Sequence, residues 1–324
     1  MRAVEARGRW IWAVSGVVTT AFLVVPGIHL ITSGGQNNEN AEPQATVTRT
    51  VTVPQPVTSL TVQSYGAQVQ VTAGPVGRVK ITETITYDTQ AGDQSAVPQQ
   101  ASASPVSAAP AGAAAPASPA APAAPAAPAN AGGAAPAVAL SVSGGHLSLA
   151  DPECASSDCS VSFAVFTPPG VTATVLTDGG PVTVSGIAGA NVDSGGGPVS
   201  ATAIGGPLTV STEGGSLGLD GLAGPLRADT DGGPLSARNI AAATVTVSTG
   251  NGSASMAFAA APDSVTVSTD GGPAQLTVPG GPYALAADSN GGPQSVGIAT
   301  DPAARRSITI ITDGGSLGIA PSRS

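Results

Sequence analysis

Thr177-Asp178-Gly179-Gly180-Pro181-Val182 opens the series that decides the fold. It returns as Asp193-Ser194-Gly195-Gly196-Gly197-Pro198-Val199, Thr212-Glu213-Gly214-Gly215-Ser216-Leu217 and Thr230-Asp231-Gly232-Gly233-Pro234-Leu235. Thr249-Gly250-Asn251-Gly252-Ser253 is a variant. Thr269-Asp270-Gly271-Gly272-Pro273, Asp288-Ser289-Asn290-Gly291-Gly292-Pro293 and Thr312-Asp313-Gly314-Gly315-Ser316-Leu317 complete eight turns. The spacing begins near 17–18 residues and lengthens to about 20 and then 23. Self-similarity at such a period marks a solenoid, in which each repeat buries its apolar face only against its neighbours. Glycine supplies positive φ at a corner, and Asp or Asn suits the position before it.

A second turn series runs half a period away, through Gly205-Gly206-Pro207, Gly224-Pro225, Pro262 and Gly280-Gly281-Pro282. Each rung therefore reads as two short strands and two turns. Alternation with period two points Val182, Val184, Leu208, Val210, Val245, Val247, Val265 and Val267 inward as aliphatic ladders. The expected fold is all-β: a right-handed parallel β-solenoid of about eight two-strand rungs. At about 4.8 Å per rung it would span roughly 40 Å.

Composition agrees with a thin core. Hydrophobic residues make up 41% of the 324 residues but aromatics only 3%, with 43 glycines and 29 prolines. That mixture suits short strands and tight turns rather than a helical globule. The net charge of −9 comes with no basic run, which argues against a nucleic-acid partner.

The N-terminal stretch Trp10–Thr32 holds no Asp, Glu, Lys or Arg and is long enough to cross a bilayer as a helix. Arg2, Arg7 and Arg9 precede it against one Glu5, and no cation follows in residues 33–39. The positive-inside rule makes residues 1–9 a cytoplasmic tail, 10–32 a transmembrane signal anchor and 33–46 an external stalk. A cleaved signal peptide is the competing reading; no small-x-small site directly follows the apolar run. Either reading exports the rest of the chain.

Residues 47–88 alternate like half-buried strands, as in Val79-Lys80-Ile81-Thr82-Glu83-Thr84-Ile85. Residues 91–137 are then nearly all Ala, Pro, Ser, Gly and Gln. Prolines this frequent forbid helix and ladder, so the segment reads as a disordered, partly polyproline-II spacer. Strands resume from 138 to 320, so the spacer reads as an insertion within one β domain. Cys154 and Cys159 are the only cysteines. A disulfide is the expected form and implies an oxidising compartment. Free thiols, or half of a metal site, are the other chemistries open to the pair. Zinc would need two more ligands, and the only histidines are His29 and His146.

The repeated Val-x-Val strands and glycine turns resemble the bacterial putative-adhesin family (domain of unknown function 4097). Phe166-Thr167-Pro168-Pro169-Gly170-Val171 before the first repeat and Val278-Pro279-Gly280-Gly281-Pro282-Tyr283 late in it carry the same likeness. The resemblance covers residues 47–88 and 138–320 and implies a β-solenoid behind a membrane segment, with adhesion suggested by the family's name. The Pro/Ala insertion departs from the family pattern.

Signals for chemistry are sparse. Gly214-Gly215-Ser216-Leu217-Gly218 and Gly314-Gly315-Ser316-Leu317-Gly318 match G-x-S-x-G, but both fall on the repeated turn, and no histidine follows either serine. Asp178, Asp193, Asp231, Asp270, Asp288 and Asp313, with Glu213, would align on one corner. Of these, Asp178, Asp231, Asp270 and Asp313 are calcium candidates, although the calcium β-roll places Asp after the glycines. A carbohydrate-cleaving β-helix needs two carboxylates across a groove, which periodic Asp residues without aromatic partners do not provide. Asn251-Gly252-Ser253 fits a glycosylation sequon but reads as a plain turn variant. The expectation is a non-enzymatic protein without cofactor, held to the membrane by its helix, with a cell-wall, glycan or protein ligand on its faces. A structural envelope accessory is the alternative.

Overall fold

The computed structural model describes residues 29–30, 44–88, 138–151 and 159–322. Its strands before the Pro/Ala segment are β1 (His29–Leu30), β2 (Gln44–Thr52), β3 (Ser59–Ser64), β4 (Gln68–Ala73) and β5 (Lys80–Asp88). After it come β6 (Ala139–Ser143), β7 (His146–Ala150), β8 (Cys159–Thr167), β9 (Thr172–Thr177), β10 (Val182–Ser185), β11 (Gly189–Ser194), β12 (Val199–Ile204), β13 (Leu208–Thr212) and β14 (Leu217–Leu222). The series continues through β15 (Leu226–Thr230), β16 (Leu235–Ile240), β17 (Thr244–Thr249), β18 (Ala254–Phe258), β19 (Ser264–Thr269) and β20 (Ala274–Val278). It closes with β21 (Ala284–Asp288), β22 (Gln294–Val296), β23 (Ser307–Thr312) and β24 (Leu317–Pro321).

Two mostly parallel sheets face each other. Sheet A has 13 strands in the order β1-β2-β5-β8-β4-β10-β12-β14-β16-β18-β20-β24-β22. Sheet B has 11, in the order β21-β23-β19-β17-β15-β13-β11-β9-β3-β7-β6. Setting aside the antiparallel β1, β2 and β5 on one sheet and β6 on the other leaves ten parallel strands in each. Among the described residues the solenoid therefore has ten rungs, where the sequence led to about eight. The two extra rungs escaped the repeat count because their corners lack the Asp-Gly-Gly signature. Ser64-Tyr65-Gly66-Ala67 turns β3 into β4, and residues 151–158 with the cysteine segment join β7 to β8.

The ladders form as the alternation predicts. Val182 and Val184 pair with Val199 and Ala201 in sheet A, and Leu208 and Val210 with Leu226 and Ala228 in sheet B. All are at most 3% exposed. Val, Leu, Ile and Ala make up most of the core, and Phe163, Phe258 and Tyr283 are its buried aromatics. Burial of each Val or Leu contributes about 1.5–3 kcal/mol.

The glycines of the corner are used differently from expectation. Among the Asp-Gly-Gly corners, only the first glycines Gly271, Gly291 and Gly314 have positive φ. The second glycine is required by its neighbour. A Cβ on Gly233 would drive into the carbonyl oxygen of Gly215, and one on Gly215 into that of Gly197. The column continues from Gly180 to Gly292, each glycine backing onto the previous rung. The last residue of β3, β9, β11, β13, β15, β17, β19 and β23, and the one directly after β21, is a buried Ser or Thr. In most of them the hydroxyl closes the turn, whereas the Thr177 hydroxyl has no hydrogen-bond partner among the described residues. Thr230, Thr249, Thr269, Thr312, Ser194 and Ser289 donate to the carbonyl three residues on, at 2.5–3.2 Å. Thr212 instead accepts from the Gly215 amide at 3.0 Å.

The N-terminal expectation needs a correction at its boundary. His29 and Leu30 form β1, antiparallel to Thr48 and Val47 of β2, so no membrane helix runs on to Thr32. Pro26, which lacks an N–H, stands just before that strand; membrane helices tolerate such a residue near an end. Among the described residues no helix is long and apolar enough to cross a membrane. Residues 1–28, most of the stalk and the 91–137 segment lie outside the described residues. β3 and β4 precede that segment in the chain and pair with β7, β8, β9 and β10, which follow it.

Candidate functional site

The outward side chains of both sheets repeat as regularly as the inward ones. On sheet B, parallel register aligns Thr174, Asn191, Thr209, Arg227, Thr246 and Thr266 in one column. On sheet A it aligns Thr183, Ser200, Gly218, Ser236, Ser255 and Gln275. All are exposed or half-buried. Parallel strands about 4.8 Å apart thus present two broad faces of short polar side chains.

One point on sheet A is more structured. Gly186, Ala203, Gly221 and Asn239 adopt positive φ on four successive rungs, at 71°, 55°, 69° and 55°. Asn239 in this conformation turns its amide to donate to Asp220 Oδ1 at 2.7 Å. Arg238 Nε donates to Oδ2 at 3.0 Å. The Asn239 and Arg238 bonds hold the Asp220 carboxyl below its ordinary range.

The expected single file of carboxylates does not form. Asp178, Glu213, Asp231, Asp270 and Asp313 sit on exposed corner positions just after the buried Thr. Asp193 and Asp288 instead precede a buried serine and point outward from sheet B, in register with Ser211 and Ile311. Gly195 and Gly250 interrupt the corner file, so neighbouring corners both carry carboxylates only at Glu213–Asp231 and Asp270–Asp313. The Asn290 amide donates to Asp313 Oδ1. Among the described residues no three His, Cys, Asp or Glu side chains are grouped to hold a metal ion. Ser216 and Ser316 lie on the glycine corners, where their carbonyls accept from Val199 and Ala274 of neighbouring rungs. His146 is far off on β7, paired with Ser59 Oγ at 2.9 Å. Cys159 begins β8 and is not a free cysteine; Cys154 lies outside the described residues.

The feature that sequence reasoning missed is a pair of carboxylates at the N-terminal end. Glu83 occupies an inward position of β5, between Ile81 and Ile85, and is 8% exposed. Its Oε1 is 4.0 Å from Arg49 Nη1 on β2 and has no hydrogen-bond partner. Asp151, at the open corner after β7, accepts from Ser64 Oγ at 3.4 Å through Oδ2, while its buried Oδ1 has no partner. Burial raises the Glu83 carboxyl above its ordinary range, Arg49 opposes this and Asp151 adds to it. Burial likewise raises Asp151, against bonds from Tyr65 and Ser64. A charge at an inward position of an alternating strand was the visible signal.

No family model and no curated protein matches the chain. Two solved structures are similar. One is a putative cell adhesion protein from Clostridium sporogenes ATCC 15579, at 8% identity and TM-score 0.22, covering 85% of this chain and 99% of that one. The other is a putative adhesin from Bacteroides fragilis NCTC 9343, at 13% identity and TM-score 0.35, covering 86% and 97%. Similarities at this level carry no weight for what this chain does.

Proposed function

We propose that this chain is an exported, membrane-anchored β-solenoid that presents its two polar faces to a macromolecule at the cell envelope, an adhesin-like role without catalysis. The observation that carries the reading is the regular register of those faces. Thr and Ser predominate at one spacing over successive rungs, interrupted by Asn191, Arg227, Gly218 and Gln275, which suits a long partner contacted many times weakly. The membrane anchor is assigned to residues 10–28, about 28 Å of helix and close to the hydrocarbon thickness. Residues 1–9 are then cytoplasmic. Cys154 and Cys159 are assigned as a disulfide, consistent with an oxidising exterior.

The test is binding of cells that display the full chain to a panel of matrix proteins, glycans and isolated cell wall. A Thr209→Arg, Thr246→Arg variant alters the sheet B face without touching the core. Binding to one panel member that falls at least about tenfold in this variant, with melting unchanged, supports the role. No binding across the panel favours a structural envelope accessory.

A further inference from the structure

At both ends of the solenoid the order of rungs in space departs from their order in the chain. The first rung in sequence, β3–β4, lies between β7–β8 and β9–β10. The last, β23–β24, lies between β19–β20 and β21–β22. All rungs between these ends are consecutive. The register at the C-terminal end is continuous: Val265 pairs with Ile308 and Ile308 with Leu285, while Leu276 pairs with Ile319 and Ile319 with Val296.

Side-chain volume explains the exchange. β23–β24 carries Ile308, Ile310, Leu317 and Ile319, each at most 2% exposed. The outermost rung carries half-buried Leu285 and Ala287, with exposed Gln294 and Val296. In sequential order the four large aliphatics would stand at the open end of the core. Intercalation buries them and leaves the small rung outside, with both rungs still paired.

We propose that these intercalated rungs are locks that prevent the chain from unravelling at its termini. A sequential solenoid frays from its ends because the terminal rung has one neighbour. Here the C-terminal rung has a ladder on each side and can leave only after β21–β22 has opened. That outer rung is tied at both ends, through 279–283 and 297–306, so its opening yields a closed loop and gains less chain entropy than a free end. At the other end, β3–β4 is held in the same way, and β5 and β6 pair onto the outer β8 and β7. The locks hold whatever the faces bind.

Hydrogen exchange on the full chain tests this directly. Peptides from 307–321 should exchange at least about tenfold more slowly than peptides from 284–296, although they lie nearer the C-terminus. Leu285→Ala in the outer rung should speed exchange in both segments while leaving 264–278 within about twofold. Equal or faster exchange of 307–321 than of 284–296 in the unmodified chain overturns the proposal. So does a Leu285→Ala variant whose 307–321 exchange is unchanged.

Discussion

Gly232 and Gly233 are adjacent in the same corner, yet they are held to different standards. A Cβ on Gly232 meets nothing within 4 Å, whereas one on Gly233 strikes the Gly215 carbonyl. Gly233→Ala should therefore cost about 1–3 kcal/mol through forced separation of two rungs. Gly232→Ala should stay within about 0.5 kcal/mol. Urea melts of the two variants side by side measure the difference, and equal losses would refute the stacking account. The glycine pair was visible in the sequence from its repetition. Its purpose was not, because close approach is a relation between rungs some 18 residues apart. Positive φ is the local reason for glycine, and the second glycine's reason is not local. The buried Thr before the Asp was hidden similarly, since a hydroxyl that closes its own turn looks like any strand Thr.

At the scale of elements, β5 of the antiparallel β2–β5 cap carries the buried acid Glu83 at an inward position, and the charge of Asp151 adds to the rise in its proton affinity. Both Glu83 and Asp151 have folded-state affinities for protons above their ordinary values of 4.5 and 3.8. The folded state therefore binds more protons than the unfolded chain in the range just above those values. The stability they contribute is fully present below the ordinary values and is lost as pH rises through the raised ones. Thermal melts should show Glu83→Gln flattening the decline in stability between mild acid and neutral pH, relative to the unmodified chain. A pH profile that keeps the same slope in the variant would exclude Glu83 as its source. The inward ladders were legible from period-two alternation alone, as Val182–Val184 and Val265–Val267 demonstrate. Rung order was not. β21–β22 and β23–β24 bear the same corner signature, and only the contrast of Ile308 and Ile310 with Ala287 and Gln294 hints at which lies inside.

For the whole molecule, the proposed anchor is the apolar segment before β1, and fractionation checks it. The full chain should sediment with membranes and resist carbonate extraction, whereas a chain lacking residues 1–28 should appear in the soluble fraction. Recovery of the unmodified chain in the soluble fraction with a new N-terminus after Thr32 would identify a cleaved leader instead. The number of rungs was underestimated from sequence because β3–β4 and β7–β8 replaced the signature corner with Ser64-Tyr65-Gly66-Ala67 and the cysteine segment. Partner chemistry was illegible for a different reason: Thr, Ser and Asn recur on the faces because they tolerate the pleat and water equally well, so their pattern reflects strand geometry before any ligand.

The glycine column has a consequence for how such a protein changes over generations. Gly197, Gly215 and Gly233 meet the glycine carbonyl of the rung before in the same way, so the corner contact repeats from rung to rung. Copying or deleting a single repeat between the two ends would restore the same glycine contact at the splice. Length is thus a countable quantity, adjustable in steps of about 4.8 Å. A lineage could tune how far its polar faces reach by duplication alone, without inventing a new residue at any position.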